Sequence, residues 1–592
     1  YNMKRLKEIL KSKTFLCYLF IIIVALVMSI PLFQAGIHTG HDGDFHISRT
    51  IGTMEEIEHG NSPLVISRFS RNLGFAWNLF YPPVSTIINV FFGFLTNNVV
   101  LAMKIFIFIT FLFSGITMYQ LVKTISKSNL AALLAAILYM TAPYRMLNAY
   151  TRLAVGEMAS FIFIPIVLRG IYLFFNGKPN KSYLYVWGAI GLVLSHNIST
   201  MLTFIVGVVY VLMNIKKLKD KQLLKTFLIS SGIIVLSVIF FELPLLEQMS
   251  TTKYEVSRKM YTDVSVMNSA LNPLKLIFKD VPGCDNSMYF CIGIPLLIGL
   301  ILTPFVYKQA KQIKNYRFFL IAGFVSAIMS TFIVPWFAMP DPLQMIQFPW
   351  RMLEMIIFFF SVVCGINFVL FMNMVIDKVH DFRAKKSKTV IQSNNKTNAI
   401  FKYCSSALIT ILSCVYALSF LKGTDYKVID NSYYEEPEVI DYSWQVSRYS
   451  SYLEYWPQKA INNWDYSVNR DDKVAILSGS ADIQNESKVN GILDFDISNV
   501  SDNTSLELPY LFYKGYQVTY TPSDGSEAKK LDVTESENGF VQVNIDSSMN
   551  GHIQVAYHAT TLYKICFVIS MATMIAYIIY LIIRKVRTKK LS

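Results

Sequence analysis

Two carboxylates, Asp42 and Asp44, stand among three imidazoles, His38, His41 and His46, in a polar stretch that follows the first apolar run of the chain and continues to Arg49. Carboxylate and imidazole groups can accept protons from a reacting group and ligate divalent cations. Set beside a bilayer, they can meet a lipid-borne substrate without the cost of burying charge in hydrocarbon. Asp42 and Asp44 also form an Asp-x-Asp, a short motif that ordinary hydrated loops carry too. A second set, Glu157, His196, Glu242, Glu247 and Arg351, lies at the ends of apolar runs, with Arg152 just before one of them. Ionisable groups at membrane depth must be paired or line a wet cavity. Pairing explains any one of these residues, whereas a lateral cavity open to lipid explains them together.

The elements that must position these groups are membrane helices. Of 592 residues, 53% are hydrophobic and only 16% charged, and the mean hydropathy is +0.40. That is far from the balance of a soluble domain and implies a multi-pass membrane protein. About twelve apolar runs are readable, from Phe15–Phe33 to Leu562–Ile583, several shorter than the roughly twenty residues of an upright span, so tilted or broken helices are expected. Val84–Leu95 reads as a re-entrant or interfacial helix. The net charge of +14 is topological and no signal for nucleic acid. Lys and Arg collect in alternate connections, such as Lys4–Lys13, Lys216–Lys225 and Lys378–Lys402, which the positive-inside rule makes cytoplasmic, together with both termini. The polar linker Lys385–Asn398 belongs to that side. The segments carrying His41–His46, Tyr144–Arg152, His196, Glu242–Asp285 and Arg351 then share the outer face. Of seven cysteines, only Cys284 falls in an expected outer loop; no disulfide or zinc framework is implied.

The composition shifts near Gly423. From Thr424 to Thr560, apolar and polar residues alternate in Leu493–Ile497, Gln517–Tyr520, Phe540–Ile545 and His552–Tyr557, with turn signals at Lys514-Gly515 and Asp524-Gly525. Period two with β-branched and aromatic residues predicts antiparallel strands, a small extracytoplasmic β-sandwich. The expected organisation is a polytopic helical core over 1–423 with an outer loop at 34–83, a β-rich domain over 424–560, and a final helix with a basic tail over 561–592. Tyr433–Tyr466 is rich in Tyr and Trp, which suit packing, a headgroup belt or stacking on sugar faces.

An ordered series of motifs runs through nearly the whole chain: Asp42, Phe45, His46 and Arg49; Phe80-Tyr81-Pro82-Pro83; Gly156-Glu157 ahead of Pro165; Ser195-His196-Asn197; Gln347-Phe348-Pro349-Trp350-Arg351; Tyr455-Trp456-Pro457; and Leu508-Pro509-Tyr510 before Lys514-Gly515-Tyr516. The series resembles the bacterial YfhO-like, pyruvoyl-tetrahydropterin-synthase-related membrane proteins, which look like GT-C-type glycosyltransferases. No His-rich zinc signature for pterin chemistry accompanies it. The resemblance implies a mainly α integral membrane protein with a GT-C-like core, and an inverting transfer of sugar, outside the membrane, from a polyprenyl-phosphate-linked donor to a cell-surface glycan, teichoic-acid-like polymer or glycolipid. It implies that the first-loop acid, here Asp42, acts at the acceptor; Asp44 lies outside the pattern. The chemistry wants the same parts. One carboxylate takes the acceptor proton while the oxygen attacks the sugar C1. Arg152 and Arg351, or a divalent magnesium or manganese ion on Asp42 and Asp44, would hold the departing phosphate. Glu157 and His196 would orient the acid or bind sugar hydroxyls, with His46 and Arg49 on the substrate side. A transporter or flippase of a lipid-linked saccharide, and a non-catalytic cell-envelope scaffold, are the alternatives.

Overall fold

The computed structural model describes residues 12–38, 40–258, 263–278, 288–387, 395–421, 428–429 and 453–590. Cys284 and the Tyr433–Tyr452 part of the aromatic stretch lie outside them, as do residues 388–394 of the Lys385–Asn398 linker. The described chain forms two compact units that interleave along the sequence, so the linear division into 1–423, 424–560 and 561–592 does not follow them. One comprises residues 1–43, 103–231 and 261–429; the other comprises 44–102, 232–260 and 430–592.

Helix dominates the first unit. Each of the twelve apolar runs overlaps a helix, but among the described residues of both units six helices, among them Val99–Ser126, Val155–Phe175 and Pro349–Arg383, are long and apolar enough to cross a membrane, and a bent pair, Asn129–Met140 with Pro143–Arg152, makes a seventh if it is one span. Four further apolar helices are shorter: Lys13–Met28, Asn197–Met213, Tyr316–Met329 and, in the second unit, Val84–Thr96. The bent pair has a covalent cause. Pro143 starts the second piece, its missing N–H breaks the hydrogen-bond ladder, and the axis turns by 50°. Small residues set the packing around it. A Cβ on Gly365 would meet the Ala131 carbonyl oxygen at 2.6 Å, and one on Gly170 the Tyr185 nitrogen at 2.2 Å. Glycine there lets the 353–387 helix lie against Asn129–Met140, and Val155–Phe175 against Tyr183–Val193, at close range. Every residue from Leu134 to Arg152 is buried. The two-residue strands β1 (Ile37–His38) and β2 (Val428–Ile429) pair antiparallel in this unit.

The second unit holds the β-sandwich. Strands β3 (Ala475–Ser478), β6 (Thr504–Leu511), β10 (Phe540–Ile545) and β9 (Val533–Glu535) form one sheet in the order β3-β6-β10-β9. Strands β4 (Asp482–Val489), β5 (Ile492–Ser498), β11 (Gly551–Tyr557), β7 (Tyr516–Pro522) and β8 (Lys529–Leu531) form the other, in the order β4-β5-β11-β7-β8. All four alternating stretches of the sequence lie in strands, β5, β7, β10 and β11. Their inward residues Leu493, Phe495, Val518, Val541, Val543, Ile553 and Val555 share one core with Trp77, Phe80 and Trp456. Strand β6 is buried on both faces, and its alternation is confined to Ser505-Leu506-Glu507-Leu508 before Pro509.

Burial on both faces leaves β6 with a carboxylate, Glu507, that has no access to water. Arg470 Nε reaches it at 3.1 Å, the Tyr466 hydroxyl donates to the same oxygen, and Ser536 and Asn538 donate to the other. The guanidinium also lies 4.9 Å from the Phe540 ring centre. Removing one partner of a buried ion pair leaves an uncompensated charge and costs about 3–5 kcal/mol. Arg470→Ala in the full chain should therefore lower the unfolding temperature and open the β-domain to protease, whereas Lys530→Ala, on an exposed strand, should not. Equal melting of the two variants would show that the neutral donors alone stabilise Glu507.

Candidate functional site

The site is assembled where helices of the first unit break. After Pro143 the chain makes a π-helical turn, Leu147–Arg152, passes through Leu153 at φ +51°, and restarts as the Val155–Phe175 helix. π-turns and left-handed non-glycine residues concentrate at functional sites, because the fold must hold them there against their local cost. The turn aims Tyr144, Asn148 and Arg152 at Glu157 in the first turn of the next helix. Glu157, 2% exposed, receives Arg152 Nη1 at 3.0 Å and Arg351 Nε at 3.3 Å on Oε1. Its Oε2 accepts from the Tyr144 hydroxyl at 2.6 Å and Asn148 Nδ2 at 3.0 Å. The N-terminal position adds the favourable end of the helix dipole.

Aromatic faces and backbone groups fix the two arginines. Arg152 Nη1 also donates to Asn148 Oδ1 at 2.7 Å, and its guanidinium lies 4.8 Å from the Trp350 ring centre. Arg351 donates to the Ile346 carbonyl at 3.1 Å and lies 5.1 Å from the Phe348 ring centre. Trp350 itself stacks with Phe290 and with Phe348.

Asp42 is strapped to the same turn. His41 N–H donates to the Thr151 carbonyl at 3.1 Å, and Asp42 N–H to the Arg152 carbonyl at 2.9 Å. Glycine makes the approach possible. Gly40 has φ +58°, and a Cβ there would meet the Thr151 carbonyl oxygen at 2.4 Å. Asp42 thus stands beside Arg152 with Arg351 and Glu157 in electrostatic range.

His196 caps the Asn197–Met213 helix. Its Nδ1 accepts the Ser199 N–H at 3.2 Å, which leaves the neutral-ring proton for Nε2. The Ser199 hydroxyl lies 2.8 Å from the same Nδ1 and donates at 2.6 Å to Glu354, whose other oxygen accepts from Ser160. Glu354, Tyr144, Asn148, Ser160 and Ser199 were not singled out in the sequence. Glu354 carried a signal all the same, a carboxylate inside an apolar run three residues after Arg351.

Of the expected site residues, Asp42, Arg152, Glu157, His196 and Arg351 belong to this unit. Asp44, His46 and Arg49 belong to the other, on the Gly43–Glu58 helix. Asp44 is in its first turn. The His46 ring meets Phe45 and Tyr81 edge-on. Arg49 is buried, donates to Asn78 Oδ1 at 2.7 Å and to the Tyr81 carbonyl at 3.3 Å, and faces the Tyr81 ring at 4.9 Å. Loss of water pushes its guanidinium down to about 9. Glu247 accepts from Thr560 and pairs with Lys514 within the second unit, a structural role. Among the described residues no three His, Cys, Asp or Glu side chains come together to hold a metal ion.

Residues 79–379 match the family described as 6-pyruvoyl-tetrahydropterin synthase related domain, membrane protein. Over 633 aligned positions, 99% of this chain and 98% of the relative, the chain is 24% identical to an uncharacterized protein of Lactococcus lactis subsp. cremoris (strain MG1363). Among solved structures it is similar to ArnT from Cupriavidus metallidurans bound to undecaprenyl phosphate, at 13% identity and a TM-score of 0.39 over 68% of this chain and 70% of that one. It is similar also to the archaeal oligosaccharyltransferase AglB from Archaeoglobus fulgidus in complex with an inhibitory peptide and a dolichol-phosphate, at 13% identity and a TM-score of 0.36 over 74% and 60%.

Burial lifts the Asp42 carboxyl above its ordinary value of 3.8, against the downward pull of Arg152, His41 and Arg351. A carboxyl raised in the folded state favours folding below its unfolded pKa, and that advantage is lost as pH climbs through the raised value, because the unfolded chain releases the proton more readily. Asp42→Asn keeps the shape and removes the charge. It should raise the melting temperature at pH 7.5, with the gain shrinking as pH falls toward 4; a lower melting temperature at pH 7.5 would show that the arginines more than offset the burial.

Proposed function

The chain belongs to the membrane-protein family of the 6-pyruvoyl-tetrahydropterin synthase related domain, and from the Arg152–Glu157–Arg351 cluster beside Asp42 we infer that it transfers a sugar from a polyprenyl-phosphate-linked donor to an acceptor at the outer membrane face. The observation that carries this reading is the pair of buried guanidiniums, Arg152 and Arg351, held together on Glu157 with Asp42 alongside. Guanidiniums are favoured partners of a phosphate, which they grip through charge-assisted hydrogen bonds. The donor lipid is of the chemical class held in the ArnT and AglB structures.

Each residue has a task in a single, inverting displacement. Asp42 takes the proton of the acceptor hydroxyl as that oxygen forms its bond to the sugar C1. The bond from C1 to the phosphate oxygen breaks, and polyprenyl phosphate leaves toward Arg152 and Arg351. Glu157 holds both guanidiniums in place and His196 orders the neighbouring helix end. The acceptor is a cell-surface glycan, a teichoic-acid-like polymer or a glycolipid. Sidedness follows from the basic connections: both termini are cytoplasmic, and the β-sandwich is outside.

Loss of a general base costs about a hundredfold or more, so Asp42→Asn should abolish most transfer at unchanged expression, read as the surface-glycan mass spectrum of a deletion strain complemented with each variant. Asp44→Asn should stay near wild type. Equal collapse of both variants, with rescue by added magnesium or manganese, would move the phosphate-holding role to a divalent ion on Asp42 and Asp44. A deletion strain with wild-type surface glycans would overturn the transfer reading, and build-up of a lipid-linked saccharide inside the cell would favour a flippase.

Orientation has its own test. A cysteine at Ser501, in the β-sandwich, should react with a membrane-impermeant maleimide in intact cells; labelling only after lysis would put the sandwich, and with it the proposed face of reaction, on the cytoplasmic side.

A further inference from the structure

The sheet β3-β6-β10-β9 has one apolar and one polar face. Pairing puts Gln542 opposite Glu507, Asn544 opposite Ser505, and Ser505 opposite Ser478, and opposite residues point the same way. Val541, Val543, Leu506 and Leu508, between them, face the core. Tyr466 and Arg470 cover the Glu507 part of the polar face. The remainder borders a cavity of about 720 Å³, whose polar floor is Ser478, Ser505, Gln542 and Asn544 and whose rim includes Asn503, Glu537, Asn538 and Asp546. This volume lies within the range of about 300–1,000 Å³ common for small-ligand sites.

The lining is unusual for a strand face. Asn is depleted in strands, yet Asn544 sits exposed in β10 where neither packing nor pairing calls for it. The wall is pre-formed as well: Gly539, at φ +82°, turns the chain between β9 and β10, and a Cβ there would meet the Ala460 nitrogen at 2.5 Å. No Lys or Arg is among the residues lining the cavity; Lys459 reaches Glu537 at 3.5 Å from beyond it. Carboxamides that donate and accept at once, with carboxylates that accept from two hydroxyls, match vicinal diols, and Leu477 offers an apolar surface to the C–H face of a sugar ring. Glu537 and Asp546 would repel an anionic polymer.

We propose that this groove binds a neutral oligosaccharide, a glycan-holding site formed wholly by the β-sandwich unit and separate in its residues from the Arg152–Glu157–Arg351 cluster. Binding here does not require the transfer reaction. The test uses the full-length protein in lipid nanodiscs and saturation-transfer NMR with neutral hexose and N-acetylhexosamine trisaccharides, and a uronic-acid trisaccharide as the anionic probe. At least one neutral probe should bind, with Kd rising tenfold or more in Gln542→Ala/Asn544→Ala and in Asn544→Thr, a variant with a better strand former at an exposed position. Lys530→Ala should bind as wild type. Absence of any neutral binding, tighter binding of the uronic-acid probe, or unchanged affinity in the folded Asn544→Thr protein would overturn the proposal.

Discussion

A carboxylate withdrawn from water is tolerated only where cations and donors surround it, and in the helical unit that carboxylate is Glu157. Its two oxygens take two guanidiniums, a phenol and a carboxamide from two separated stretches of chain, 144–152 and the residues around Arg351. The effective penalty for burying an ion is several kcal/mol even after relaxation, so any arrangement that leaves one of these partners out is strongly disfavoured. The break after Met140, the π-turn and the start of the 353–387 helix are thereby tied to one another, and Asp42 is tied to them through the carbonyls of Thr151 and Arg152.

The β-sandwich unit solves the same problem with a different result. Glu507 is also fully buried and also paired with an arginine, but it lies in a strand covered on both faces, with every partner drawn from the same domain. Such a network fixes a fold. The Glu157 cluster is built instead on features that local energetics disfavour: a left-handed Leu153, a π-turn, and a glycine pressed against a carbonyl. Strain of this kind persists where surrounding structure over-determines it, and it gathers at functional positions.

The sequence by itself determined the class of protein, because apolar runs and their basic connections follow from the dielectric of a bilayer and need no tertiary knowledge. It also determined the β-domain where alternation runs long enough, in β5, β7, β10 and β11; in β6 it is confined to Ser505-Leu506-Glu507-Leu508 before Pro509. Glu157, His196 and Arg351 were legible as charges at the ends of apolar runs, and Asp42 as an acid in the polar stretch after the first run. Tertiary structure decided what they touch. That Glu157 binds both arginines, that His196 spends its Nδ1 on a helix cap, and that Glu354 rests on two serine hydroxyls are consequences of helix breaks and close glycine packing. Those bring together residues nearly two hundred positions apart, and no periodicity in the chain encodes such a meeting.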